Sequence, residues 1–207
     1  MRTTGYTDGF NLCSGARRKT PGRWVNVDTR CPRLLPSNTL QVIQYCTAWV
    51  SARPSDPDQP VRQQLYLRAL KTLPKVSMHL GHVLTHEVTM PLVGPPGQPQ
   101  QDARVITTEE KGADVHLATH LLHDAHMGAC EVAVVVSNDS DRLEPITIVR
   151  GHLGKNVGVL NPQKHPSRAM LPHIDFIKQI RHGTLHAAQL PATVTDQHGT
   201  FTKPAGW

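Results

Sequence analysis

The apolar run Val132-Ala133-Val134-Val135-Val136, followed at once by Ser137-Asn138-Asp139-Ser140-Asp141, constrains this chain more than any other stretch. A strand with no polar side chain on either face must be buried on both, and such strands belong to parallel sheets covered by helices on two sides. The polar run after it marks the carboxyl end of the strand, where open parallel sheets form their ligand crevices. Downstream, Leu143 to Leu153 reads as a helix and Lys155 to Leu160 as a strand, which makes a βαβ unit.

The same alternation runs through the rest of the chain. Near the amino terminus, Asp8-Gly9-Phe10-Asn11-Leu12 reads as a strand end turning into a helix. Leu40 to Val50 is rich in strand formers and stops at the turn residues of Ser51 to Asp58. From Pro60 to Leu73, the positions of Leu65, Leu67, Ala69, Leu70 and Leu73 predict a helix ended by Pro74. Val76 to Leu84 reads as extended, and the Pro-, Gly- and Gln-rich stretch from Pro91 to Gln101 as an exposed loop or hairpin tip. Val115, Leu117, Ala118, Leu121, Leu122 and Ala125 then follow helical spacing until Met127-Gly128. His165 to Gly183 is expected to hold one or two short helices docked through Ile174, Phe176, Ile177 and Ile180.

At 207 residues the chain suits one domain. With only 4% aromatic residues, its core has to rest on Leu, Val, Ile and Ala. The expected fold is α/β, three layers around a mainly parallel central sheet, with residues 1–183 as the body and 184–207 as a surface tail. Lys and Arg outnumber Asp and Glu by 22 to 16, for a formal charge of +6, which fits a polyanionic partner or simply a soluble basic protein. Cys13, Cys31, Cys46 and Cys130 lack the close spacing of structural zinc sites and read as reduced thiols. No apolar run is long enough to span a bilayer, so the expectation is a cytoplasmic protein without a membrane partner. A homo-oligomer is left open.

Four acidic residues carry the candidate chemistry. Asp8, Asp139 and Asp141 fall at carboxyl ends of strands, and Asp114 opens a helix beside them. Brought together, two carboxylates about 4 Å apart repel by on the order of 4 kcal/mol at an effective dielectric near ~20, so a cation is needed to keep the cluster ionised. Oxygen-only donors select Mg²⁺ or Mn²⁺. A hard cation lowers the pKa of bound water and orients it for attack on a phosphodiester. Any one of these Asp residues, taken alone, is an ordinary turn former or helix cap.

The blocks Tyr6-Thr7-Asp8-Gly9-Phe10-Asn11-Leu12, Glu109-Glu110-Lys111-Gly112-Ala113-Asp114-Val115 and Val134-Val135-Val136-Ser137-Asn138-Asp139-Ser140-Asp141 resemble the NYN family of PIN-like nucleases in order and spacing. Leu153 to Val159 and the ending Lys203-Pro204-Ala205-Gly206-Trp207 also look like bacterial members. The resemblance implies a PIN-like three-layer fold and a metal-dependent ribonuclease pocket with Asp8, Asp114, Asp139 and Asp141 as catalytic and metal-binding residues. RNA is then the implied partner, with Asn11 and Ser137 as polar contacts and Lys111 beside them. The alternative is a catalytically silent NYN module that binds RNA or a protein. Thr3, Thr4 and Gly5 depart from the apolar first strand of the family, and Arg142 stands where an apolar residue is usual. Arg142 would either contact an RNA phosphate or neutralise the acidic cluster.

Other readings compete. Arg17, Arg18, Lys19 and Arg23 either steer a phosphate backbone or form a solvated face, and Trp24 either stacks a base or packs in the core. His116, His120 and His123, spaced i, i+4, i+7, offer imidazoles to a transition metal, with a solvated helix face as the plainer reading. A haloacid-dehalogenase phosphatase requires Asp where Phe10 stands, and no G-x-G-x-x-G follows the first strand for a dinucleotide.

Overall fold

In the computed structural model the described residues are 1–17, 23–53, 55–95 and 97–205, with the side chains of 16–17 and 30–33 outside that description. The chain opens with β1 (Arg2–Asp8), runs directly into the short α1 (Gly9–Leu12) and a π-helical turn (Cys13–Arg17), and continues through α2 (Val27–Leu34) to β2 (Thr39–Ala48). Then come α3 (Gln59–Lys71), β3 (Val76–Pro91), β4 (Asp102–Lys111), α4 (Ala113–His126) and β5 (Val132–Val136). A 3-10 turn (Ser140–Arg142) leads into α5 (Leu143–Thr147), followed by β6 (Asn156–Asn161), β7 (Phe176–Gln179), α6 (His182–Ala187), β8 (Thr193–Asp196) and β9 (Gly199–Thr202).

Seven strands form one sheet in the order β4-β3-β2-β1-β5-β6-β7. All neighbours are parallel except β4, which returns antiparallel along β3. Strands β2 and β3 build outward from one side of β1, and β5, β6 and β7 build from the other. The order therefore reverses between β1 and β5, which places a crevice at their carboxyl ends.

Strand β5 behaves as its composition requires. Val132, Val134 and Val136 join the core with Ile43, Tyr45, Tyr66, Leu67 and Leu70, while Ala133 and Val135 join the opposite core with Tyr6, Leu117, Leu121 and Ile146. The fold is thus α/β with a mainly parallel sheet flanked by helices. The polar β1 is equally central: Thr3, Thr4 and Thr7 are buried, and Asn38 Nδ2 donates to Thr3 Oγ1 at 2.8 Å.

Several expectations change. The extended stretch from Val76 continues to Pro91, and its partner β4 was not foreseen; the loop from Pro91 to Gln101 is the tip joining them. Phe176 and Ile177, expected on a helix, lie in the edge strand β7. Residues 184–205 do not lie as a tail on the surface: Leu185, Leu190, Val194 and Phe201 are core residues, and the Trp24 indole donates to the Pro191 carbonyl at 2.7 Å. Trp24 itself is fully buried, so it is a core residue and not a base-stacking platform. Among the described residues, no helix is long and apolar enough to cross a membrane.

Candidate functional site at the carboxyl ends of β1 and β5

Asp8 ends β1 and caps α1, its Oδ1 accepting the Asn11 amide at 2.9 Å. Its Oδ2 accepts from Ser137 Oγ at 3.1 Å and from the Arg142 guanidinium at 3.2 Å. Ser137 Oγ in turn accepts the Asp139 amide at 3.2 Å, and Asn11 Oδ1 accepts the Asn138 amide at 3.1 Å. These bonds stitch the ends of β1 and β5 together. Asn11 and Ser137, expected to contact a substrate, commit Oδ1 and Oγ to this frame.

Arg142 is the feature the sequence left open. Its side chain is 3% exposed, and the same terminal nitrogen that meets Asp8 also meets Asp114 in a close ion pair. Its Nε is buried without a hydrogen-bond partner among the described residues. Desolvation works against the guanidinium, but Asp114, Asp8 and Asp139 outweigh it and hold its proton on. Of the two roles foreseen for Arg142, the structure supports the neutralising one. Burial pushes the Asp8 carboxyl up, with the Asn11 amide and Arg142 pulling the other way.

The expected cluster of four carboxylates therefore divides. Asp8 is turned into the Arg142 pair, while Asp114, Asp139 and Asp141 offer oxygens that all lie within 4.8 Å of one another. Asp139 Oδ1 accepts the Asp141 amide at 3.1 Å, and Asp114 Oδ1 meets Arg142, which leaves the second oxygen of each open among the described residues. Four carboxylates against one guanidinium leave three negative charges uncompensated. An oxygen-only donor set of this kind fits Mg²⁺ or Mn²⁺, with water filling the remaining positions.

Asp114 reaches the cluster because β4 turns sharply into α4. Gly112 supplies the turn with a left-handed φ of 98°, a conformation that L side chains rarely adopt. Glu110 Oε1 accepts the Ala113 amide at 2.7 Å, so the helix start is capped from β4 and Asp114 is left for the site. Lys111 pairs with Glu109 at 2.6 Å and stays outside the cluster. Arg18 and Lys19 lie outside the described residues, as does the Arg17 side chain. A hollow of about 420 Å³ is lined by Phe10, Val50, Val83, Ile106, Thr108 and Glu110 among others. Its walls come from α1, from the segment after β2 and from the β3–β4 hairpin, so no single stretch of the chain marks it.

The fold and site define an α/β domain with an acidic cluster at its switch point, and a crystal structure of a Vibrio parahaemolyticus protein of unknown function shares that fold. Its TM-score is 0.53 at 14% identity, over 87% of this chain and 93% of that one. In sequence, the chain is similar to 6-hydroxy-3-succinoylpyridine 3-monooxygenase HspA of Pseudomonas putida, 28% identical over 100% of this chain and 75% of the relative. No family model matches the chain. The relative is named as an oxidoreductase, which overturns the expectation that this chain is a Mg²⁺- or Mn²⁺-dependent ribonuclease hydrolysing phosphodiesters.

Proposed function

We propose that the chain is an oxidoreductase of the monooxygenase kind acting on a small polar heteroaromatic molecule. The observation that carries this reading is the similarity to the pyridine monooxygenase along the whole of the chain. The hollow between α1 and the β3–β4 hairpin supports it, being of a size common for small-molecule sites and lined by Phe10, Val50, Val83 and Ile106 on its apolar walls. A flat ring would sit among these side chains, with Arg53, Thr108 and Glu110 as polar partners for its substituents. Asp114, Asp139 and Asp141 would hold Mg²⁺ or Mn²⁺, and a cation there gathers anionic oxygens of the substrate. Asp8, Asn11 and Ser137 keep the cluster rigid, and Arg142 limits its charge. The proposal includes a cytoplasmic location, in keeping with the free, buried Cys46 and Cys130.

The test supplies the protein with 6-hydroxy-3-succinoylpyridine and other hydroxypyridines, a reduced nicotinamide with and without flavin, Mg²⁺ or Mn²⁺, and isotopically labelled O₂. One labelled oxygen should enter the product and the other should leave as water, at the cost of two electrons from the reductant. Asp139→Asn should slow label transfer at least about tenfold. A folded protein that labels no member of the panel, or labels it equally well after the substitution, defeats the reading.

Two observations favour a second reading. Arg142 already occupies the acidic pocket, and the chain carries a formal charge of +6, both suited to a catalytically silent NYN module that binds RNA. Salt-sensitive RNA binding without oxygen transfer supports it, and RNA binding that is absent at low salt removes it.

A further inference from the structure

His79 stands on β3 beside its register mate Cys46 and under the face of α4 that carries His116 and His120. Its ring centroid lies 3.8 Å from that of His120 and 6.1 Å from that of His116. Imidazoles on one tetrahedral ion, with metal–nitrogen bonds of about 2 Å, have centroids about 5 Å apart. In the structure the His79 and His120 rings lie closer than that and the His79 and His116 rings farther apart, so a bound ion requires the rings to turn. His123, the third member of the stripe read from the sequence, is exposed and takes no part.

Hydrogen bonds decide which nitrogen of His79 is available. Asp124 Oδ2 accepts from Gln44 Nε2 at 2.9 Å and from the Tyr6 hydroxyl at 3.2 Å. With the Gln44 amide nitrogen turned to Asp124, its Oε1 faces His79 Nε2, 2.7 Å away. Nε2 therefore carries the proton, which it also presents to Ser77 Oγ at 3.3 Å, and the lone pair sits on Nδ1. Metal-ligating histidines are held in this way, with the second ring nitrogen tied to a carboxylate or carbonyl. The His116 Nδ1 is buried and has no hydrogen-bond partner among the described residues. Burial, with His120 and His116 alongside, pushes the His79 imidazolium down, which favours the neutral ligand form.

We propose that His79, His116 and His120 bind a borderline transition-metal ion such as Zn²⁺, with a fourth position open to water. Gln44 and Asp124 are positioning residues that orient His79. The site is separate from the carboxylate cluster in its choice of ion, because imidazoles serve Zn²⁺ and carboxylates serve Mg²⁺. It stands apart from the reaction proposed above.

The experiment titrates the intact protein with Zn²⁺ against a chromogenic chelator, in excess Mg²⁺ to fill the carboxylates, and follows Co²⁺ by its visible absorption. A single equivalent should bind, and Co²⁺ should show the intense bands of four-coordinate nitrogen ligation. Binding should vanish in His79→Ala and His120→Ala, persist in His123→Ala, and weaken about 10- to 100-fold in Gln44→Leu. Failure of the intact protein to bind Zn²⁺ stoichiometrically overturns the proposal, as does unchanged binding in folded His79→Ala. Should that variant not fold, the Co²⁺ spectrum of the intact protein decides, since weak six-coordinate oxygen-type bands also overturn it.

Discussion

Arg142 acts as an internal counterion to Asp8 and Asp114. Truncating it to Leu leaves Asp8, whose side chain is 7% exposed, as a buried carboxylate without its partner. Breaking a buried pair from one side costs roughly 3–5 kcal/mol. The metal-free Arg142→Leu protein should therefore unfold at distinctly lower urea concentration than the parent. Mg²⁺ or Mn²⁺ should then restore more stability to the variant than to the parent, the variant gaining about 2.7 kcal/mol at a hundredfold excess over its own dissociation constant. Equal urea midpoints without metal would show that the guanidinium contributes nothing to holding Asp8. Asp8 makes a companion prediction in pH. Its folded-state pKa is raised, chiefly by burial, so the proton it binds stabilises the fold at low pH, and this contribution is lost as pH rises through the raised value. Asp8→Asn keeps an oxygen for the Asn11 amide but cannot titrate. A stability-versus-pH curve should lose that fall in the variant, just above the ordinary carboxylate range; identical curves would place Asp8 outside the titration.

At the scale of elements, what could be read from the sequence follows how completely each element is buried. Strand β5 faces two cores and shows an unbroken apolar run, and α3 and α4 each bury one face, so their periodicity was legible. Strand β4 is mostly exposed and pairs only with β3, so Thr107-Thr108-Glu109-Glu110 carries no alternation to read. Strand β7 is an edge of four residues with one partly buried position, too short for a pattern. The acidic residues were legible because each marks a strand end or helix start; the Asp8–Arg142 pair was not, because nothing in a sequence tells which way an Arg in a 3-10 turn points. His79 escaped notice for the same reason, its partners being set by strand register. Element contacts also explain Gly158 on β6, where a Cβ would lie 2.0 Å from the Phe176 ring on β7. Gly158→Ala should cost about 1–3 kcal/mol by overpacking, read as a shift in urea midpoint, and Phe176→Val in the same protein should recover part of it. Additive losses in the double variant would show that the ring is not what the methyl group meets.

For the molecule as a whole, the sheet divides into a covered centre and a projecting arm. Strand β3 pairs with β2 only as far as Gly81, and from His82 to Pro91 it has β4 alone as a neighbour. A two-stranded ribbon is marginal in water without a face to pack on, and here Leu84, Met90 and Ile106 are exposed along it. Strands β1 and β5, by contrast, are paired on both edges and buried on both faces. Local opening should therefore be cheap in the arm and absent from the centre. Hydrogen exchange followed by mass spectrometry should find amides of residues 84–90 and 103–108 exchanging through openings that respond little to denaturant, while those of Thr3–Thr7 and Val132–Val136 exchange only with global unfolding. The wall of the 420 Å³ hollow formed by Val83, Ile106 and Thr108 belongs to the arm, so a ligand in the hollow should slow exchange there first. Arm amides as slow as those of β5 in the free protein would contradict this division. If their protection rose with protein concentration, the exposed apolar ribbon would be covered by a second copy of the chain.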